Sequence, residues 1–165
     1  MDTQKHISSA FDQDLTTLND ALQKLGDLAC QQFEGAMEGL AMQNQANLDK
    51  VIKGDAALDT LEAEINEKAI EVIAIRSPRA KDLRYVLVAL KVATILERMG
   101  DYARNIANRT KVIMTAGNEN IPGVNIGRMG QVTQEMVRDA MTSYQNRDAE
   151  MALAVWRRDI EVDHM

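Results

Sequence analysis

Two acidic pairs share one spacing. Asp55 and Asp59 stand four residues apart, and so do Glu97 and Asp101. On an α-helix, residues i and i+4 lie on one face, so each pair projects two carboxylates in a common direction. Between the pairs runs Arg76-Ser77-Pro78, where the residue before proline is driven out of helical geometry. If the flanking segments are antiparallel helices turning there, Asp59 and Glu97 lie at equal distances from Pro78, as do Asp55 and Asp101. Four carboxylates then converge at one level, and they repel one another unless a cation sits among them. An all-oxygen donor set suits a hard or borderline cation such as Mg²⁺, Mn²⁺ or iron, whereas structural zinc draws on Cys or His.

The neutralising cation need not be a metal. The second helix (46–75) carries seven acids and three bases, and the third (81–111) carries three acids and seven bases. Salt bridges between them serve equally well, with Arg98 and Arg104 as the nearest basic partners, and both readings stand at this level. His6 and His164 lie outside the acidic pairs. A carboxylate-bridged di-metal oxidase of the ferritin-like sort draws a Glu-x-x-His from its bundle helices, and the acidic pairs carry no such histidine. No Gly-rich phosphate loop and no nucleophile–histidine arrangement points to covalent catalysis.

Long helices are needed to hold these pairs, and the apolar spacing supplies them. Phe11, Leu15, Leu18, Leu22, Leu25 and Ala29 step by four and three, which marks one face of a first helix from Ser8 or Ser9 to about Gln43. Val51, Leu58, Ile65 and Val72, continuing to Ile75, mark a second from about Ala46 to the Pro78 stop. A third, about Ala80 to Ala116, has one apolar line through Val88, Val92, Ile95, Met99, Tyr102 and Ile106, and another through Leu83, Leu87 and Leu90, which predicts a central position. Gly100, Ala103 and Ala107 form a small-residue line that permits close packing. Glycines and Pro122 mark a linker at 117–127. A fourth helix from about Asn125 to Gln145 and a fifth from Asp148 follow, with Trp156 as a core anchor and the methionines as core filler.

Composition narrows the class further. Hydrophobic residues make up 45% of the 165 and aromatics only 4%, which favours an all-α protein over a β-sandwich or an aromatic nucleic-acid platform. The formal charge of −6 opposes binding a polyanion such as DNA. Cys30 sits in an apolar stripe as a small hydrophobe, with no second cysteine to pair with. No signal segment opens the chain and no window reaches eighteen apolar residues, so a soluble, cytoplasmic protein without membrane insertion is expected.

The chain also repeats itself. At an offset of 104 residues, Gly26, Ala36, Met37, Val51, Asp55 and Asp59 fall on Gly130, Ala140, Met141, Val155, Asp159 and Asp163. The expected organisation is a first three-helix bundle over 1–116, a linker over 117–127 and a partial second bundle of two helices over 128–165. On this reading the chain is C-terminally truncated, and Asp159 and Asp163 are half of an incomplete second site.

The run Ser77-Pro78-Arg79-Ala80-Lys81-Asp82-Leu83-Arg84, then Leu96-Glu97-Arg98-Met99-Gly100-Asp101 and Asn105-Ile106-Ala107, resembles the phosphate-uptake regulator family, PhoU. His6-Ile7 with Phe11, and Val51-Ile52 with Gly54-Asp55, resemble it too. The resemblance implies an all-α fold of repeated antiparallel three-helix bundles, here with the second incomplete. It implies a cytoplasmic, often dimeric regulator, not an enzyme, that represses phosphate-starvation genes with the phosphate-specific ABC transporter, through its ATPase subunit, and a sensor histidine kinase. It also implies a bound divalent or iron-type ion (Mg, Mn, Fe or Zn) at Asp55, Asp59, Glu97 and Asp101. The rival readings are the ferritin-like di-metal oxidase and a metal-free helical adaptor. Exposed apolar faces on the fourth and fifth helices would favour a homodimer.

Overall fold

A computed structural model describes residues 2–116 and 123–164. Its five helices are α1 (Asp2–Met42), α2 (Gln45–Arg76), α3 (Lys81–Thr115), α4 (Gly123–Asn146) and α5 (Ala149–Asp163). The protein is all-α, as composition and periodicity require. Ser8 and Ser9 lie inside α1 rather than capping it, because that helix begins at Asp2. Residues 117–122 of the expected linker lie outside the described residues, and 123–127 are already the first turns of α4.

The ends of the helices follow local chemistry. Asn44 caps α2, its side chain accepting from the backbone N–H groups of Ala46 and Asn47. Ser77 closes α2 in the left-handed conformation ahead of Pro78, its N–H donating to the Ile73 carbonyl. The turn into α5 repeats the turn into α2. Gln43 and Arg147 both have positive φ, and Asp148 caps α5 through the N–H groups of Glu150 and Met151. These two turns are 104 residues apart, the offset found in the sequence.

Helices α1, α2 and α3 pack on one another, α4 packs on α1, and α5 packs on α4. Their shared core holds Leu18, Leu22, Leu25 and Ala29 of α1 with Leu58, Ile65, Ala69 and Val72 of α2. On α3 the buried line is Val86, Ala89, Ala93, Leu96, Gly100, Ala103 and Ala107. Of the apolar lines expected at the centre, Leu90, Val92, Met99 and Ile106 pack against the core, whereas Leu87, Val88, Ile95 and Tyr102 are exposed. Ile75 and Trp156, also expected in the core, are exposed as well. Long helices approach closely where side chains are small, so alanines and Gly100 make up most of the α3 seam, with Val86 and Leu96 as its bulky members.

The α1–α4 contact shows the repeat in three dimensions. A Cβ on Gly26 would lie 3.3 Å from Met141 Cε, and a Cβ on Gly130 would lie 2.7 Å from Met37 Cε. Gly26 and Met37 are the repeat equivalents of Gly130 and Met141, so each half inserts the same methionine over the same glycine of the other. Between them Gln134 Nε2 donates to the carbonyl of Cys30, its own repeat equivalent, at 3.3 Å. The two halves therefore meet in an isologous way, like the subunits of a two-fold dimer joined in one chain.

Candidate functional site

Pro78 sets the register that brings the acids together. Thr94 Oγ1 donates to Glu62 Oε1 at 2.8 Å across the α2–α3 interface. Those two residues are equidistant from Pro78, the register that also places Asp59 level with Glu97 and Asp55 level with Asp101. Close approach at this height depends on Gly100, because a Cβ there would overlap the Leu58 side chain.

The structure collects Asp55, Asp59, Glu97 and Asp101 into one acidic neighbourhood and adds Glu62. Asp55 is the deepest, only 7% exposed, whereas Asp59 lies at the exposed edge. Arg104 is their counter-ion. Its Nη1 donates to Asp55 Oδ2 across the interface, and its Nη2 donates to Asp101 Oδ1 at 2.6 Å. The bridging arrangement suits the fork of guanidinium donors, and it binds α2 to α3 through a buried carboxylate. Arg98, the other basic partner expected from sequence, instead donates to Tyr102 Oη at 3.3 Å.

One guanidinium for five carboxylates leaves the site strongly negative. Burial holds the Glu97 carboxyl above the usual carboxylate range, and Asp101, Glu62, Asp59 and Asp55 push it further in the same direction. A carboxyl whose folded-state pKa is raised binds its proton more tightly in the native state than in the unfolded one. Its contribution to stability therefore falls as pH rises from the ordinary glutamate range to the shifted value. Glu97→Gln is expected to match wild type near pH 4 and to exceed it at pH 7, by about 0.2–0.5 kcal/mol from the Asp101 repulsion alone. Urea midpoints at the two pH values test this; an equal difference at both would remove the electrostatic account.

Asp and Glu oxygens fit a hard cation in chemical type. Their present positions are gathered around Arg104, and among the described residues no three Asp, Glu, His or Cys groups converge closely enough to hold a metal ion. Asp159 and Asp163 are exposed on α5, and no described helix packs on α5 except α4. One Glu-x-x-His does occur, at Glu161-Val162-Asp163-His164. It ends α5, which packs on neither α2 nor α3, and a ferritin-like di-metal centre takes two such motifs from two helices.

Glu62 is the member that spacing alone undervalued. It lies three residues after Asp59 and directly across from Thr94, so the signal was present in the same hairpin register.

Comparison with known proteins follows the same outline. The PhoU domain matches residues 22–110 and 126–165. A phosphate-specific transport system accessory protein PhoU homolog of Caulobacter vibrioides is 35% identical over 159 residues, which is 96% of this chain and 69% of that protein. The protein of the same description from Zymomonas mobilis is 36% identical over 159 residues, covering 96% of this chain and 66% of its own. The chain thus spans about two thirds of the length of these relatives. The crystal structure of PhoU from Pseudomonas aeruginosa superposes with a TM-score of 0.89 at 28% identity, covering 93% of this chain and 74% of that one. No described helix is long and apolar enough to cross a membrane.

Proposed function

The chain belongs to the PhoU domain family, and from that membership we propose that it regulates phosphate uptake and phosphate-starvation signalling as a protein-contact adaptor. The carrying observation is the match to relatives named as phosphate-specific transport system accessory proteins over nearly the whole chain. Its partners on this reading are the ATPase subunit of the phosphate ABC transporter and a phosphate sensor histidine kinase. It works in the cytoplasm, as a homodimer and without enzymatic turnover. Deleting its gene in a phosphate-replete cell is expected to switch on phosphate scavenging, read as induced alkaline phosphatase; repression that persists unchanged would overturn the reading.

Asp55, Asp59, Glu97 and Asp101, with Glu62 at the edge, would hold a divalent or iron-type ion. The ion would supply the positive charge that one arginine leaves lacking. These side chains come from two helices, so holding a common ion fixes α2 against α3 and stiffens the face offered to a partner. Asp159 and Asp163 are proposed as half of a second such site. A metal-free adaptor is the second reading, favoured by one observation: Arg104 already joins Asp55 to Asp101.

A further inference from the structure

We propose that the trough between α3 and α4 docks one amphipathic helix of a partner protein, whose apolar residues recur at heptad spacing and are flanked by Asp and Glu. This deepens the adaptor reading, on which the choice of a protein partner rests. Helix α3 carries two apolar seams. The buried one runs from Val86 to Ala107 and packs on α1 and α2. The other steps by three and four through Tyr85, Val88, Val92, Ile95, Met99 and Tyr102, the a and d positions of three successive heptads. Val92 and Met99 pack against the core, but Ile95 is 65% exposed and Tyr102 56%, so the outer half of this seam has no partner among the described helices. Helices α3 and α4 both pack on α1 and not on each other. Two cavities of about 440 and 450 Å³ lie between them and share Tyr144, which stacks on Tyr85 at 5.7 Å between ring centroids. Together they follow α3 from Lys81 to Tyr102, the length of a partner helix of about twenty residues.

Charge selects the occupant. Arg84, Lys91 and Arg98 recur every seven residues beside the open seam, at the g positions, which in paired helices meet the charges of the partner. Lys81 and Arg147 add cations at the Pro78 end of the trough. None of these is paired with a carboxylate of the described residues. Among the described residues the one acid lining the trough, Asp148, is engaged as the cap of α5. A chain of formal charge −6 therefore presents a basic-rimmed apolar trough, which is complementary to an acidic amphipathic helix and repels a basic one. A second copy placed seam to seam would set the three g-position cations against their own equivalents. The trough is concave, so a helix fills it where a flat lipid surface would bridge it.

The test is selection on the full chain of displayed helical peptides of that length, with apolar a and d positions fixed and the flanking positions randomised. Binding of the selected peptides is then measured by fluorescence anisotropy at physiological salt. They are expected to carry Asp or Glu at the flanking positions and to lose about ten-fold or more in affinity for Ile95→Glu. The triple variant Arg84→Glu, Lys91→Glu, Arg98→Glu should lose them likewise and select Lys-flanked peptides instead. All four side chains are exposed, so these variants are expected to keep the wild-type fold, which circular dichroism and thermal melts check. Selected peptides without an acidic bias, or that bind every variant equally, overturn the proposal. So does a trough that binds no peptide and takes up a second copy, seen by sedimentation, or phosphatidylglycerol vesicles, seen by flotation. Absence of any binding peptide, with scavenging induced by gene deletion, overturns the docking surface and leaves the adaptor reading in place. Peptide binding together with repression that ignores the deletion overturns the adaptor reading.

Discussion

Leu58→Ala is expected to lower the free energy of unfolding by about 2–5 kcal/mol. Leu58 is 1% exposed, and its side chain occupies the space that a Cβ on Gly100 would need. It is also one residue before Asp59 and three after Asp55, so the same contact that seats the helices sets the height of both acids. Truncation leaves a cavity that long, continuous helices collapse into only partly. The reverse error, Gly100→Val, overpacks the seam at about 1–3 kcal/mol. Because both changes act on one contact, they should not add. Gly100→Ala in the Leu58→Ala background is expected to fill part of the cavity and to recover stability, with a coupling of about 0.5–3 kcal/mol in a double-mutant cycle of urea midpoints. Strictly additive costs would show that Leu58 and Gly100 do not share the seam.

Gly130→Val is expected to loosen α4 and α5 from the three-helix core, at about 1–3 kcal/mol, while α1–α3 stay folded. The Met37 side chain already lies against Gly130, and α5 touches the rest of the described molecule only through α4. Amide exchange should accelerate throughout α4 and α5 and remain slow in the middle of α2 and α3. The reciprocal geometry makes a second demand. Met37→Ala should relieve the Gly130 substitution, and Met141→Ala should relieve Gly26→Val, whereas the crossed combinations should give no relief. Rescue without that pairing would mean that the two contacts are not equivalent halves of one interface.

Much of the architecture was readable before any coordinates. The number of helices and the stop at Pro78 follow from local rules, because apolar spacing and proline geometry act over a few residues, whereas the side-chain caps at Asn44 and Asp148 were shown by the structure. Hairpin register followed from one turn, and it brought Asp55 level with Asp101 and Asp59 level with Glu97. The 104-residue repeat was visible in six identities, and its meaning became plain once Met37 and Met141 were seen on Gly130 and Gly26. On α3 hydrophobicity ranks Ile95 and Tyr102 above Ala89 and Ala93, yet the alanines are buried and the larger pair exposed, because side-chain type says nothing about how near two helix axes come.

Sequence by itself determined the helices, their order, the acidic pairs and the family to which they belong, because each is written in spacing along one chain. The small-residue line Gly100, Ala103 and Ala107 was legible in the sequence, but tertiary structure alone decided that Ala89 and Ala93 join it in the seam of α3 while Val88, Ile95 and Tyr102 face outward. It alone decided that Arg104 and not Arg98 answers the carboxylates, although both lie on α3 within a few residues of Asp101. The reason is geometric: two arginines six residues apart on a helix leave it in different directions, and only packing fixes which of them meets the buried Asp55 across the interface.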